Sequence, residues 1–186
     1  MLSTVFFPEL LTAFHQDYPE IAVVLEEYGS VRACNLVQND TLDLALVNME
    51  QYNIDKFHNV VLANDQVVFC VNKDHRLADK EIVTTKEMSK ELLIFFNADS
   101  VQNQLLKTRF EMDGYIPNIV MRSSQIYTTL QFIKTGKYSC FLYSSMLDKF
   151  TDSEITGIPL NPPIHIKIGM IWKKGKYISG DMQTFL

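Results

Sequence analysis

Three places in this 186-residue chain set small polar side chains at the start of a helical pattern. They are Ser3 and Thr4, then Gly29 and Ser30 in "VVLEEYGSVRACNLV", then Ser123, Ser124 and Gln125 in "IVMRSSQIYTTLQFI". A helix N-terminus carries unpaired N–H groups and the positive end of the helix dipole, so it holds an anionic or polar ligand without a charged side chain. Read singly, each place is a turn glycine or an N-cap, the commoner use of these residues. Read together, the second and third each follow an apolar strand-like run. In open α/β sheets, ligands collect beyond the carboxyl ends of the strands. Gly29 would let the backbone come close to a ligand, and Ser30 would offer its hydroxyl. Asn97, Ala98 and Tyr143 close later apolar runs in comparable positions, although an aromatic there equally suits core packing.

Catalytic chemistry finds little support. There is no GxSxG elbow, no GxxxxGK[ST], no GxGxxG and no HExxH. His15, His58, His75 and His165 lie far apart, and structural or exposed roles suit them better than metal ligation. Glu26 and Glu27 would point to opposite faces of a strand, a poor acid/base pair. Neither a metal nor a cofactor is implied. Cys34, Cys70 and Cys140 sit in or beside apolar runs without CxxC spacing, as expected of buried reduced thiols in a cytosol. Seventeen basic against 22 acidic residues give a formal charge of −5, with no basic stripe and no helix-turn-helix pattern, so the chain itself is not expected to bind DNA. No apolar run has the length of a membrane span, and the N-terminus lacks the order of a signal peptide. A soluble cytoplasmic protein is expected.

Those candidate residues need elements to position them. Apolar spacing over residues 5–16 predicts a helix with Pro8 early enough to be harmless, and "YPEIAVVLEE" predicts a strand. "SVRACNLVQND" predicts a short helix and "LDLALV" a buried strand. "VVLANDQVVFCVNK" reads either as a hairpin or as one long segment passing between lobes. "TTKEMSKELLIFF" predicts a short helix and a strand, and "SVQNQLLKTRFEMDGY" an amphipathic helix on Leu105, Leu106 and Phe110. Residues 110–143 then repeat the order of residues 14–47: helix end, proline, strand, small polar residues, helix, polar break, strand. Two similar βαβ units suggest two α/β lobes. After a proline-marked connection, Ile164, Ile166, Ile168, Met170 and Trp172 alternate with other residues as in a half-buried strand. Its return to the first lobe would give two crossings, near residues 60–70 and 159–166, as a hinge around a cleft requires.

With these elements in order, the chain resembles the effector-binding domain of LysR-type transcriptional regulators. The resemblance is carried by "FFPELLTAFHQDYPEIAVVLEE", by "DTLDLALV", by "DHRLA" at residues 74–78, and by "GYIPNIVMRSSQIYTTLQFIKTGKYSCFLYSSM". It covers nearly the whole chain, and the order and spacing of these stretches are its specific part. It implies an α/β fold of two Rossmann-like lobes joined by two crossing segments, like type 2 periplasmic binding proteins. Lobe I would comprise residues 1–65 and 163–186, and lobe II residues 66–162. It further implies a sensor without enzymatic activity that binds a small, polar or anionic effector between its lobes. The cleft contacts carried over by position are Ser3, Thr4, Gly29, Ser30, Asn97, Ser123, Ser124 and Gln125. The implied partners are the effector, a homodimer or higher homo-oligomer formed through the helix at 5–16, and DNA only through a helix-turn-helix domain not present in this chain. Three departures from the family stand out. The DNA-binding part is absent. Met1 falls where the family has just completed a central strand of the first lobe. Tyr143 and Ser144 stand where Leu-Pro is usual, with Lys137 and Tyr138 after the preceding glycine. A free-standing solute-binding protein of a transport system would share the fold, and a two-lobed metabolic enzyme is a third reading weakened by the lack of a nucleophile with a nearby base.

Overall fold

A computed structural model describes residues 2–50, 53–97, 100–150 and 153–186, leaving the side chains of residues 2–5, 148 and 150 outside the description. In chain order the elements are α1 (Leu2–Asp17), α2 (Ser30–Gln38), β1 (Leu44–Asn48), β2 (Phe57–Asn72), α3 (Thr85–Met88), β3 (Leu92–Phe95), α4 (Val101–Met112), β4 (Ile119–Arg122), α5 (Ile126–Lys134), β5 (Tyr138–Tyr143), α6 (Ser144–Phe150), β6 (Ile155–Pro159), β7 (His165–Lys173) and α7 (Gly180–Phe185). They form two compact units: Met1–Ala63 with Ile168–Leu186, and Asn64–Lys167.

In the first unit β1 pairs antiparallel with β7, Ala45 opposite Ile171 and Val47 opposite Gly169. The opening residues of β2 flank β7 on its other side. Helix α2 buries Ala33, Cys34 and Val37, one turn's worth of spacing, against Ala45, Val47, Phe57 and Ile171. It ends because Asp40 turns into the left-handed region at φ 60°, returning the N–H groups of Thr41 and Leu42 to the Leu36 carbonyl. Helix α1 packs through Phe14, whose ring meets Phe185 of α7 at 4.9 Å between centroids.

Two expectations fail in this unit. Residues 22–29 are not a strand, and Val24 is 86% exposed. A β-branched run becomes a strand only where a neighbouring edge takes its N–H and C=O groups, and β1, paired with β7 alone at the end of the sheet, takes none from residues 22–29. Pro8 is not at a helix start either: α1 begins at Leu2, which places the proline in its interior at the cost of one backbone hydrogen bond. The hydroxyl of Thr12 donates to the Pro8 carbonyl at 2.6 Å.

Of the two readings of "VVLANDQVVFCVNK", the structure shows one 16-residue strand, β2, which begins in the first unit and ends in the second. In the second unit β2 is flanked by two antiparallel neighbours, β5 (Val67 opposite Tyr143, Cys70 opposite Cys140) and β6 (Val68 opposite Pro159, Cys70 opposite Gly157). Strand β6 occupies part of the stretch expected to be only a connection. Strand β3 lies parallel to both β5 and β4, giving the order β6-β2-β5-β3-β4. Helices α4 and α5 make the crossovers between the parallel strands. Phe69, Phe95 and Phe141 stack edge to face or tilted at 5.4 and 5.5 Å in the core, with Leu106, Phe110 and Ile133 fully buried from the two helices.

After β2 the "DHRLA" stretch turns on His75. Its Nδ1 accepts the Leu77 N–H at 3.2 Å, so Nε2 carries the proton donated to Glu91 at 3.0 Å, and Arg76 completes the group on Glu91. His75 is thus a structural histidine.

Candidate functional site

Parallel strands β3 and β4 end side by side, each followed by a helix N-terminus. The Ser123 N–H donates to the Phe95 carbonyl at 3.0 Å, so the residues leaving β4 lie against those leaving β3. The sequence-predicted Asn97 and Ser123 are therefore neighbours along this edge, with Ser124 and Gln125 following. Asn97, Ser124 and Gln125 are exposed and Ser123 is half-buried.

Asn103, in the first turn of α4 and 2% exposed, holds the β3 end in place. Its Oδ1 accepts the Phe96 N–H at 3.2 Å, while its Nδ2 donates to the carbonyls of Phe96 at 2.5 Å and Asn97 at 2.8 Å. Its neighbour Gln102 donates through Nε2 to the Phe141 carbonyl at 2.8 Å, tying α4 to β5. Neither amide was singled out from sequence. Their signal is two carboxamides in the first turn of a helix right after a buried strand, where an apolar residue would suit the core better.

Helix α5 is capped by Gln125 and not by either serine. The Ser123 hydroxyl accepts the Gln125 N–H at 3.1 Å, and the Gln125 Oε1 accepts the Thr128 hydroxyl at 3.1 Å. The Thr129 N–H returns to the Gln125 carbonyl, so the N–H groups of residues 126–128 have no partner within the helix ladder. They make a short row of neutral donors suited to a carboxylate, phosphate or hydroxyl-bearing ligand.

Next to that edge, β5 runs directly into α6. The Asp65 carboxylate of β2 accepts the hydroxyls of Ser144 and Ser145, both at 2.5 Å, and the Ser145 N–H at 3.3 Å. Asp65 thus already supplies an anion to the α6 start. Its sequence signal was the polar "ANDQ" break inside an apolar segment. Tyr143, 3% exposed, packs in the core.

In the first unit, Gly29 and not Ser30 is the N-cap of α2. The Gly29 backbone, at φ −65° and ψ 149°, is ordinary extended chain that any residue adopts, so its conformation does not demand glycine. Ser30 faces the end of β1, where its hydroxyl accepts the Asn48 N–H at 3.0 Å. Ser3 and Thr4 lie within the first turn of α1, and their side chains fall outside the described residues, as does Ala98.

Among the described residues no group of three His, Cys, Asp or Glu side chains is arranged to hold a metal, and no helix is long and apolar enough to cross a membrane.

Comparison with known proteins agrees with this architecture. The LysR substrate binding domain profile matches residues 1–186. The uncharacterized HTH-type transcriptional regulator YwbI of Bacillus subtilis is 28% identical over 187 residues, covering 100% of this chain and 62% of that protein. The regulatory domain of CcmR from Synechocystis PCC6803, solved in complex with 2-PG, superposes with a TM-score of 0.88 at 23% identity, covering 98% of this chain and 88% of that one. The effector binding domain of QuiR in complex with shikimate gives 0.80 at 18% identity, covering 97% and 86%. The fold is the mixed α/β fold of LysR effector-binding domains, of the type 2 periplasmic-binding-protein kind, as the resemblance implied. This chain belongs to the LysR substrate-binding domain family.

Proposed function

We propose that this chain is the sensing part of a cytoplasmic LysR-type transcriptional regulator. It binds a small polar or anionic effector and passes the signal to a helix-turn-helix domain carried elsewhere in the protein, without catalysing a reaction. The observation that carries this reading is the pair of helix starts at the adjoining ends of β3 and β4, joined by the Ser123–Phe95 hydrogen bond. We assign effector contact there to Asn97, Ser123, Ser124 and Gln125, and in the first unit to Gly29 and Ser30, with Ser3 and Thr4 completing the set. Ligands named for structurally similar domains support a small-molecule effector: CcmR is solved with 2-PG and QuiR with shikimate. A homodimer is the working assembly in this reading.

An effector that binds only the folded state raises the melting temperature, by an amount that grows with the logarithm of its concentration above Kd. A thermal-shift screen with 2-PG, shikimate, amino acids and aromatic acids is therefore the direct test. A stabilisation by one class that rises with the logarithm of concentration, weakened by Ser123→Ala, is expected. A stabilising ligand that binds the Ser123→Ala and Gln125→Ala variants as tightly as the parent would place the effector elsewhere.

A further inference from the structure

Cys70 on β2 and Cys140 on β5 stand directly opposite each other in an antiparallel ladder. Both are free, and they are 0% and 1% exposed. Directly opposed residues in such a ladder have side chains on the same face and Cα atoms about 4.5 or 5.5 Å apart, according to the hydrogen-bonding site. A disulfide spans Cα separations of about 4.4 to 6.8 Å, so the Cα spacing of either kind of site falls within its range. Across β2 from Cys70 lies Gly157, with no side chain, and Leu147 of α6 fills the space a Cβ there would take. The thiols therefore face each other under an apolar cover.

We propose that Cys70 and Cys140 form a latent cross-strand disulfide whose state is set by the thiol poise during folding and then kept by burial. The oxidant is a small-molecule disulfide such as oxidised glutathione. One thiolate attacks it, releasing one thiolate of glutathione and leaving a mixed disulfide. The second cysteine thiolate attacks the protein sulfur of that bond, expelling the other glutathione thiolate. Two protein thiols are oxidised, one glutathione disulfide is reduced, and two protons leave. In the folded protein, a hydrogen bond with Cys70 and burial hold the Cys140 thiol well above its usual range, which keeps it protonated and unreactive. Cys34 lies in the other unit, where burial pushes its thiol up to about 12, and it has no opposed cysteine.

The test is to unfold the full chain in urea with reductant and refold it either in oxidised/reduced glutathione or in reductant alone. Differential alkylation and peptide mapping then locate the bonds. Oxidative refolding is expected to yield a species lighter by two hydrogens with a 70–140 cross-link and Cys34 free. Its unfolding equilibrium constant in mid-transition urea should fall about 30-fold or more against the reduced form. Protein folded first in reductant and then placed in the same glutathione mixture should keep three thiols for hours. Cys34→Ser should leave the cross-link unchanged. Three free thiols after oxidative refolding, a bond to Cys34, or rapid oxidation of the folded reduced protein would each overturn the proposal.

Discussion

The backbone N–H of Asn48, at the end of β1, donates to the hydroxyl of Ser30 in the first turn of α2 across 3.0 Å. Eighteen residues apart in sequence, the two fix where the helix starts relative to the strand that follows it. Ser30 is therefore structural whatever else it touches. Ser30→Ala removes the acceptor from a residue only 1% exposed, and about 1 kcal/mol of stability is expected to go with it. Urea denaturation of the unliganded variant measures this. A variant as stable as the parent would mean that Asn48 is served equally well by other groups.

Glycine is required at position 169 for a reason of space. A Cβ there would lie 2.6 Å from the Val60 carbonyl oxygen and also against the Met49 sulfur. The thioether can swing away, but the backbone of β2 cannot. Gly169→Ala is expected to destabilise the chain by about 1–3 kcal/mol. Gly180→Ala, where nothing lies within 4 Å, is the control and should be neutral or slightly stabilising, since alanine is the better helix former.

Acid should loosen the start of α3. Lys80 beside Glu87, with the Thr84 N–H at 3.0 Å and the Thr84 hydroxyl at 2.8 Å, lowers the Glu87 carboxyl to about 2. A carboxylate whose folded pKa lies below its unfolded value contributes stability above the unfolded pKa, and loses it as pH falls through the folded one. The window therefore runs from about pH 4.5 down to about 2. Between pH 6 and 2.5 the parent should lose more stability than Glu87→Gln, measured as the fall in urea midpoint. Parallel curves would remove Glu87 from the acid response.

Asn103 should act on the ligand edge without being part of it. Asn103→Ala strands the Phe96 N–H and releases two carbonyls, with an expected cost of about 2 kcal/mol. It should also weaken any effector found by thermal shift, because Asn97 loses its anchor. If affinity stays at the parent value while stability drops, Asn97 does not contact the effector.

Much of the architecture is legible in the pattern of apolar residues. Leu106 and Phe110 lie on the buried face of α4 as their spacing requires, and Ile164, Ile166 and Ile168 bury one side of the late strand. Periodicity works where one face alone is buried; past Ile168 it fails, because Gly169 and Ile171, expected on the outer face, are buried too, Ile171 against α2. It misleads at residues 22–29, whose β-branched side chains state a preference that no ladder satisfies, and at β6, where Gly157 and Pro159 read as connection yet pair with β2. The side chains that build the candidate edge were hidden for a different reason. Gln102, Asn103 and Asp65 act on backbone groups of residues 6 to 80 positions away, and no local pattern records a partner that only the fold brings near. Serine is the commoner cap by residue type, yet Gly29 and Gln125 take that role, since a cap is decided by backbone angles more than by residue type.

Strand β2 serves both units as one uninterrupted segment, with Val60 against Gly169 at one end and Cys70 against Cys140 at the other. Side chains alternate along a strand with a period of two, so changing its length by one residue turns everything beyond the change to the opposite face. A single insertion or deletion around Asn64–Gln66 would therefore turn each of Val67–Asn72, buried on both faces, into packing built for its neighbour, and take Cys70 out of register with Cys140. The length of this strand is the dimension that has to stay constant.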